Sequence, residues 1–222
     1  MHGMQWVRAS VITACRYRPG MLRIAFINLK PGTAKTTSAV WLAYAFHRRG
    51  LTVGLADADP GASALEWSDQ AGGFPFKVAG LPMKDFHRRA DDLAADVVIG
   101  DVPQVEDHAP IARSAMRWAD IRVIPVAPNP IELDRMSPLA DVLEDVEDVL
   151  RPGSQTCVLL NRVVSGAASG PSARRVLTRQ GYEVLSTSIP RLEVFAQSFG
   201  AEPDTNTAYD QLATELLERS GK

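Results

Sequence analysis

Two lysines and several small or hydroxyl-bearing residues lie close together near the start of the chain, in the segment Leu29-Lys30-Pro31-Gly32-Thr33-Ala34-Lys35-Thr36-Thr37. The segment follows an apolar run and precedes a helical pattern. A glycine-bearing turn at such a place presents backbone N–H groups at a helix N-terminus, where they can hold a phosphate group. Lys35 would add positive charge and Thr36 a hydroxyl for Mg²⁺. The pattern therefore favours a phosphate-binding loop over an ordinary turn with two exposed lysines.

Three carboxylates form a second group of candidate residues. Asp57 and Asp59 follow an apolar run in the segment Asp57-Ala58-Asp59-Pro60, and Asp101 ends another apolar run. Beside a phosphate site, such carboxylates can orient a water for in-line attack or hold magnesium. Each has an ordinary alternative, because Asp and Pro are common in turns and a strand-end Asp can cap a helix. The three features in this order are more specific than any one of them.

A sheet must bring these residues together, and strand and helix patterns alternate from residue 21 onward. We predict strands over residues 22–28, 51–57, 76–79, 97–101, 121–126, 156–161 and 183–186. We predict helices over residues 35–49, 83–94, 111–119, 136–150 and 205–219. The repeated β–α units predict an α/β fold, a single doubly wound domain with a mainly parallel sheet flanked by helices. Ligands of such sheets bind at the carboxyl ends of the strands, which is where the loop and the carboxylates lie.

The composition is that of a globular domain. The 222 residues are 45% hydrophobic and 23% charged, and 24 basic against 26 acidic residues give a net charge of −2, which excludes a histone-like polycation. No apolar stretch is long enough to span a membrane. Cys15 and Cys157 cannot form a metal knuckle or a disulfide framework, so we predict a reduced, cytoplasmic protein. We interpret residues 1–20 as a disordered extension or an over-long start assignment and residues 21–222 as the folded domain.

Residues 30–37, 57–60 and 97–103 together resemble the three signatures of the ParA/MinD family of deviant-Walker ATPases. Leu29 and Ala34 stand at the glycine positions of the general pattern G-x-x-x-x-G-K-[ST]. The loop instead matches the deviant form K-G-G-x-G-K-[ST]-[ST], with Lys30 five positions before Lys35. The segments 63–68 and 125–130 look most like the small plasmid-partition ParA proteins of the ParF-like subgroup. The resemblance covers nearly all of residues 21–219 and implies a P-loop NTPase fold.

This resemblance implies ATP and Mg²⁺ as cofactors and gives roles to the matching residues. Lys35 would bind the β and γ phosphates, Lys30 would reach across a nucleotide-sandwich dimer to the partner's ATP, and Asp59 would position the hydrolytic water. Asn161 would contact the adenine, although a strand-end cap is an alternative for its amide. The magnesium site would consist of Thr36, Asp57 and Asp101. The nucleotide-binding residues would be Lys30, Pro31, Gly32, Thr33, Ala34, Lys35, Thr36, Thr37, Asn161, Ile189 and Pro190.

The chain departs from the family pattern at three positions. Pro31 replaces the first glycine of the loop and removes one backbone N–H that could bind phosphate. Ala34 replaces the glycine before Lys35, and if this position needs a positive φ, alanine costs about 1 kcal/mol there. Gly61 stands where relatives commonly carry Gln. These departures favour retained ATP binding with slow hydrolysis.

The resemblance implies a DNA-partition ATPase that acts in the cytoplasm on the nucleoid and has no membrane contact. ATP would drive homodimerisation and non-specific DNA binding, and a ParB-like centromere-binding protein would stimulate slow, Mg²⁺-dependent hydrolysis. Five arginines, Arg162, Arg174, Arg175, Arg179 and Arg191, form either a solvated face or a DNA-binding surface.

Other function classes fit the sequence less well. A MinD-like positioning ATPase would need an amphipathic C-terminal helix with basic flanks, whereas the last residues include Glu215 and Glu218. A ligase of the same superfamily would not be expected to carry Lys30. A nucleotide-binding adaptor with little turnover stays open, because Pro31 and Ala34 depart from the family pattern.

Overall fold

The computed structural model describes residues 20–221, and these residues build one seven-stranded sheet in which all strand pairs are parallel. The spatial order of the strands is β3-β2-β4-β1-β5-β6-β7. The predicted doubly wound α/β fold is therefore confirmed, and the sheet is entirely parallel. The strands are β1 (Leu22–Phe26), β2 (Val53–Asp57), β3 (Lys77–Gly80), β4 (Val97–Asp101), β5 (Ile121–Val126), β6 (Gln155–Val163) and β7 (Val184–Pro190).

Nine α-helices lie among the described residues, and two short 3₁₀ turns cover Ala90–Leu93 and Glu147–Val149. The helices are α1 (Lys35–His47), α2 (Ser63–Gln70), α3 (Phe86–Arg89), α4 (Val105–Trp118), α5 (Pro130–Asp134), α6 (Met136–Glu144), α7 (Ser169–Arg179), α8 (Glu193–Ala196) and α9 (Ala208–Ser220). The predicted extension over residues 1–20 lies outside the described residues except for Gly20.

The central strands are continuous apolar runs because helices cover the sheet on both faces. Every residue of β1, β2, β4 and β5 is buried. One core lies between the sheet and α1, α2 and α9, and includes Trp41, Trp67 and Tyr209. The other lies between the sheet and α3, α4, α6 and α7, and includes Phe86, Trp118 and Met136. The two cores hold the strands in place from both faces of the sheet. The carboxyl ends of these strands carry the predicted site.

The predicted helix over residues 136–150 is shorter in the structure. Helix α6 ends at Glu144, and a 3₁₀ turn over Glu147–Val149 follows. Four acids, Glu144, Asp145, Glu147 and Asp148, crowd this stretch. Like charges three or four residues apart repel each other, and acids oppose the negative end of the helix dipole. Val146 lies beyond the end of α6 but is still buried against the core.

Two other predicted helices differ in their bounds. The segment 83–94 forms only α3 and the 3₁₀ turn. In that turn, the buried Asp91 accepts hydrogen bonds from the Arg23 guanidinium and the Trp118 indole. Helix α4 begins at Val105, earlier than predicted, and is kinked at His108. Pro110 has no N–H to continue the helical hydrogen bonds. Helices α2, α5, α7 and α8 were not predicted.

Candidate nucleotide-binding site

The phosphate loop joins β1, in the middle of the sheet, to the N-terminus of α1. Gly32 and Ala34 both have positive φ angles, 73° and 65°. Ala34 thus occupies the left-handed conformation that the family pattern assigns to glycine, and its carbonyl accepts the first helical bond of α1 from the Ser38 N–H at 3.0 Å. The backbone conformation is retained although the glycine is not, at a cost of about 1 kcal/mol.

Lys35 and Lys30 occupy different environments. The Lys35 side chain is buried, and its Nζ donates a hydrogen bond to the Lys30 carbonyl at 3.1 Å. Burial lowers the pKa of Lys35, and the Asp101 and Asp59 carboxylates oppose that effect. Lys30 is half-exposed and forms an ion pair with Glu106 in the first turn of α4. Lys35 therefore makes its hydrogen bond within the loop, whereas the Lys30 side chain extends away from the loop toward α4.

Asp57 and Asp101 are neighbours in the β2–β4 register, at the carboxyl ends of both strands. Asp101 is buried, and this burial, with the nearby Asp57 carboxylate, raises the pKa of Asp101 to about 7 against the opposing Thr36 hydroxyl and Lys35 ammonium. A carboxylate held at this cost fits a position where a cation binds.

Asp57 has a local task that the sequence did not indicate. Its Oδ2 accepts hydrogen bonds from the N–H groups of Ala64 and Leu65 at 2.9 and 3.1 Å, so it satisfies the start of α2. Its Oδ1 accepts the Asp59 N–H at 3.1 Å. Asp59 is partly exposed and accepts the Gly61 N–H through Oδ1 at 2.9 Å. Asp57 thus organises the loop that presents Asp59.

Three buried side-chain atoms among residues 20–221 have no hydrogen-bond partner: Thr33 Oγ1, Asp101 Oδ2 and Asn161 Nδ2. Buried polar atoms normally have partners. All three belong to predicted site residues, at the phosphate loop, the predicted magnesium position and the predicted adenine position. A bound nucleotide with its cation would supply partners for all of them, so the residues present fit ATP and Mg²⁺. Mg²⁺ needs only one or two protein ligands beside substrate phosphates and waters.

A cleft of 670 Å³ lies beside the loop, within the range of ligand sites in proteins. Asn161 lines it, and its Oδ1 accepts the Arg162 N–H at 2.7 Å, which leaves Nδ2 as the available donor. Pro190 lines the cleft as well. Ile189 does not, because it is buried in the core beneath α1 and α9. Other lining residues, which the sequence patterns did not assign to a nucleotide site, include Asn129, Ser169, Arg191, Phe195 and Tyr209.

The comparisons with known proteins agree with this geometry. The profile of the CobQ/CobB/MinD/ParA nucleotide binding domain matches residues 24–202, which is most of the chain. The chain belongs to this family. The match spans all three predicted signatures.

Three solved structures illustrate the shared fold. Cobyrinic acid a,c-diamide synthase from Mycobacterium smegmatis, solved with an ATP analogue and magnesium, is 21% identical, with a TM-score of 0.70 over 91% of this chain and 97% of that one. MinD from Aquifex aeolicus is 18% identical, with a TM-score of 0.66 over 90% and 97%. A Borrelia burgdorferi B31 protein described as a plasmid partition protein, bound to AMPPNP, is 15% identical, with a TM-score of 0.65 over 90% and 98%. A comparison with curated protein sequences gives no significant match.

The five arginines that the sequence analysis singled out are of two kinds. Arg174 donates to the Ser186 carbonyl and the Ser188 hydroxyl, at 3.2 and 3.0 Å, so it attaches α7 to β7. The other four are exposed, and none of the ion pairs found within residues 20–221 includes them: Arg162, Arg175, Arg179 and Arg191. Arg162 and Arg191 line the cleft, whereas Arg175 and Arg179 lie on α7.

Proposed function

We propose that this chain is a small ParA-type DNA-partition ATPase, in which ATP drives dimerisation and non-specific DNA binding. The observation that carries the proposal is the divergence of the two loop lysines. Lys35 is buried in the loop, while the Lys30 side chain leaves the rim toward α4. A phosphate loop that acts within a single subunit needs only Lys35. A second lysine directed away from its own phosphate site can serve a partner's phosphates in a face-to-face dimer.

The remaining residues support a hydrolytic site. Asp59 is presented next to the loop by the hydrogen bonds of Asp57, where it can orient a water for attack on the terminal phosphate. Mg²⁺, when bound, would neutralise phosphate charge, held through Thr36 and Asp101. In a closed dimer, Lys30 of the partner subunit would stabilise the charge that develops in the transition state, where excluded water makes a cation most effective. Hydrolysis would separate the subunits and release DNA.

Asp59→Ala tests the hydrolytic assignment. The variant should bind ATP like the wild type, turn it over at least tenfold more slowly, and accumulate as an ATP-bound dimer on gel filtration. Unchanged turnover would move the water-positioning role away from Asp59, most directly to Asp57.

DNA retardation tests the proposal as a whole. The purified protein should retard DNA of unrelated sequences with ATP and Mg²⁺, and should not do so with ADP or with ATP and EDTA. A ParB-like centromere-binding protein should accelerate both hydrolysis and release. DNA binding that ignores the nucleotide, or none in any state, would contradict the partition role.

A nucleotide-binding adaptor with little turnover is the second candidate. Ala34 favours it, because its methyl group lines the cleft in the left-handed conformation. Turnover of the wild-type protein distinguishes the two candidates. A slow ATPase should release phosphate from ATP in the presence of Mg²⁺ and DNA, whereas an adaptor should bind ATP under the same conditions without measurable phosphate release.

A further inference from the structure

The start of α4 is attached directly to the phosphate loop. The Val105 N–H donates to the Asn28 carbonyl at 3.1 Å, and the Glu106 N–H donates to the Leu29 carbonyl at 3.3 Å. The Glu106 carboxylate is therefore held beside the loop by its own backbone. From there it forms an ion pair with Lys30, and the two side chains are 42% and 38% exposed.

Lys30 connects this ion pair to the phosphate site. Its side chain binds Glu106, and its carbonyl accepts the hydrogen bond from the Lys35 ammonium. The neighbouring acid in the same helical turn, Asp107, instead accepts a hydrogen bond from the Gln104 amide at 2.9 Å. Of the carboxylates in the described part of the chain, Glu106 is the one paired with Lys30.

We propose that Glu106 is a positioning residue that holds Lys30 on its own subunit, so that dimerisation requires the Lys30–Glu106 ion pair to break. The inference rests on the proposed function, in which Lys30 acts across the dimer. Glu106 is fixed beside its own loop by its backbone, so the Lys30 ammonium has to leave this carboxylate when the side chain extends to phosphates of another subunit. Each dimer breaks two such pairs, one in each subunit.

The size of the effect follows from the exposure of the pair. Exposed ion pairs change an equilibrium by up to roughly fivefold, and two pairs per dimer raise the limit to roughly 25-fold. That effect disfavours premature dimerisation without preventing it once ATP adds anionic charge to both subunits. The effect should weaken as salt screens the pair.

Glu106→Gln in the full chain tests the inference, with Asp107→Asn as the matched control. Both variants remove one negative charge from the same helical turn. With a slowly hydrolysed ATP analogue, we expect Glu106→Gln to lower the dimer dissociation constant severalfold, up to roughly 25-fold, in analytical ultracentrifugation. Nucleotide affinity of the dilute monomer should stay within about twofold, because the carboxylate does not bind the nucleotide. Asp107→Asn should dimerise like the wild type, and high salt should reduce the difference made by Glu106→Gln.

Lys30→Ala separates failure of this inference from failure of the proposed function. If Lys30→Ala loses dimerisation and Glu106→Gln changes nothing, the positioning role is wrong and the trans-acting lysine stands. If Lys30→Ala dimerises like the wild type, the trans-acting lysine is wrong and the positioning role falls with it. Weaker dimerisation of Glu106→Gln would also overturn the inference, since Glu106 would then act within the dimer. Where Lys30→Ala leaves residual dimerisation, adding Glu106→Gln should not change it further.

Discussion

At the scale of single residues, the site combines groups that are costly to bury with groups that lack partners. Asp101 is buried next to Asp57, and its Oδ2 accepts no hydrogen bond from the residues described. Thr33 Oγ1 and Asn161 Nδ2 are also buried without a hydrogen-bond partner among the residues described. A fold without a ligand to bind would gain stability by replacing them. Their presence is what a nucleotide site predicts, because binding supplies the missing partners.

Lys35→Ala should abolish ATP binding and leave the fold intact. The ammonium compensates phosphate charge inside the loop, whereas its intramolecular bond to the Lys30 carbonyl is only one hydrogen bond. We expect the ATP dissociation constant to rise at least 100-fold in a fluorescence titration, about 3 kcal/mol. Lys77→Ala is the control, because Lys77 lies at the amino end of the edge strand β3, whereas the loop lies at the carboxyl end of the central strand β1. Wild-type affinity of Lys35→Ala would contradict the assignment of the loop.

Asp101→Asn should stabilise the protein without ligands and remove its response to Mg²⁺. Burial and Asp57 raise the pKa of Asp101 to about 7, so at pH 8 the carboxylate is charged at a cost in stability. The amide has the same shape without the charge. We expect the midpoint of thermal unfolding to rise by about 2–6 °C at pH 8. In the wild type, Mg²⁺ should add to the stabilisation by ATP, and in the variant it should not.

A lower unfolding temperature of Asp101→Asn without ligands would mean that the carboxylate supports the fold itself. An unchanged response to Mg²⁺ would remove Asp101 from the predicted magnesium site. The two measurements therefore test the structural and the metal-binding role separately.

At the scale of elements, local sequence patterns predicted the strands and the site residues that directly follow them. The apolar runs gave the strands, and the Lys, Thr and Asp residues that follow them gave the phosphate loop and the carboxylates. The pairing of Lys30 with Glu106 crosses 76 residues of sequence, and the contact of Ser38 with Tyr209 crosses 171. No periodicity or spacing encodes such partners. The second task of Asp57 is local, seven and eight residues along the chain at the start of α2, and it was missed because α2 was not predicted.

One carboxylate of α9 accepts hydrogen bonds from the backbone of β7, in addition to the apolar packing of the helix. The Glu215 side chain accepts the N–H groups of Ser186 and Thr187 at 2.7 and 2.8 Å. Partial burial pushes the pKa of Glu215 upward, but these hydrogen bonds outweigh it, and the net pKa is below the ordinary value of 4.5. Because α9 also carries Tyr209 at the nucleotide cleft, this attachment keeps one wall of the cleft in place.

Glu215→Gln should destabilise the protein in a pH-dependent manner. A carboxylate whose pKa is lowered by folding contributes stability above its unfolded pKa and loses it as the pH falls through the folded pKa. We expect a loss of about 1–2 kcal/mol at pH 7 in urea unfolding. The difference from the wild type should shrink below pH 4.5. A difference that stays constant down to pH 3 would show that the charge of Glu215 is not the cause.

At the scale of the whole molecule, the order of the strands brings segments that are far apart in sequence to the carboxyl end of the sheet. Strand β1 lies between β4 and β5, so the phosphate loop after β1 has the Asp101 end of β4 on one side and the cleft on the other. Strands β6 and β7 extend the sheet beyond β5 and carry Asn161 and Pro190 at its carboxyl end. None of the helices within residues 20–221 is long and apolar enough to cross a membrane. The exposed arginines on α7 lie in the helix that connects β6 to β7.

If α7 binds DNA in the proposed dimer, then Arg175 and Arg179 should contribute mainly through charge. Replacing both by alanine removes up to four phosphate contacts per dimer, since each subunit supplies two. The slope of log K against log salt should then become less steep by up to about 3.6. Affinity should fall for all DNA sequences alike, because phosphate contacts carry no sequence information. ATP-dependent DNA retardation at several salt concentrations measures both effects.

The matched control is the double variant Arg89→Ala and Arg113→Ala. It removes the same charge, but from arginines that are already paired, with Asp85 and Asp145, on α3 and α4. If net charge alone were the cause, both double variants would bind DNA with equally reduced affinity. If α7 forms the DNA surface, only the variant that lacks Arg175 and Arg179 should have a less steep slope of log K against log salt. Arg174 is unsuitable as a probe, because its guanidinium attaches α7 to β7. An unchanged slope for the α7 variant, with dimerisation intact, would assign DNA binding to another face of the molecule.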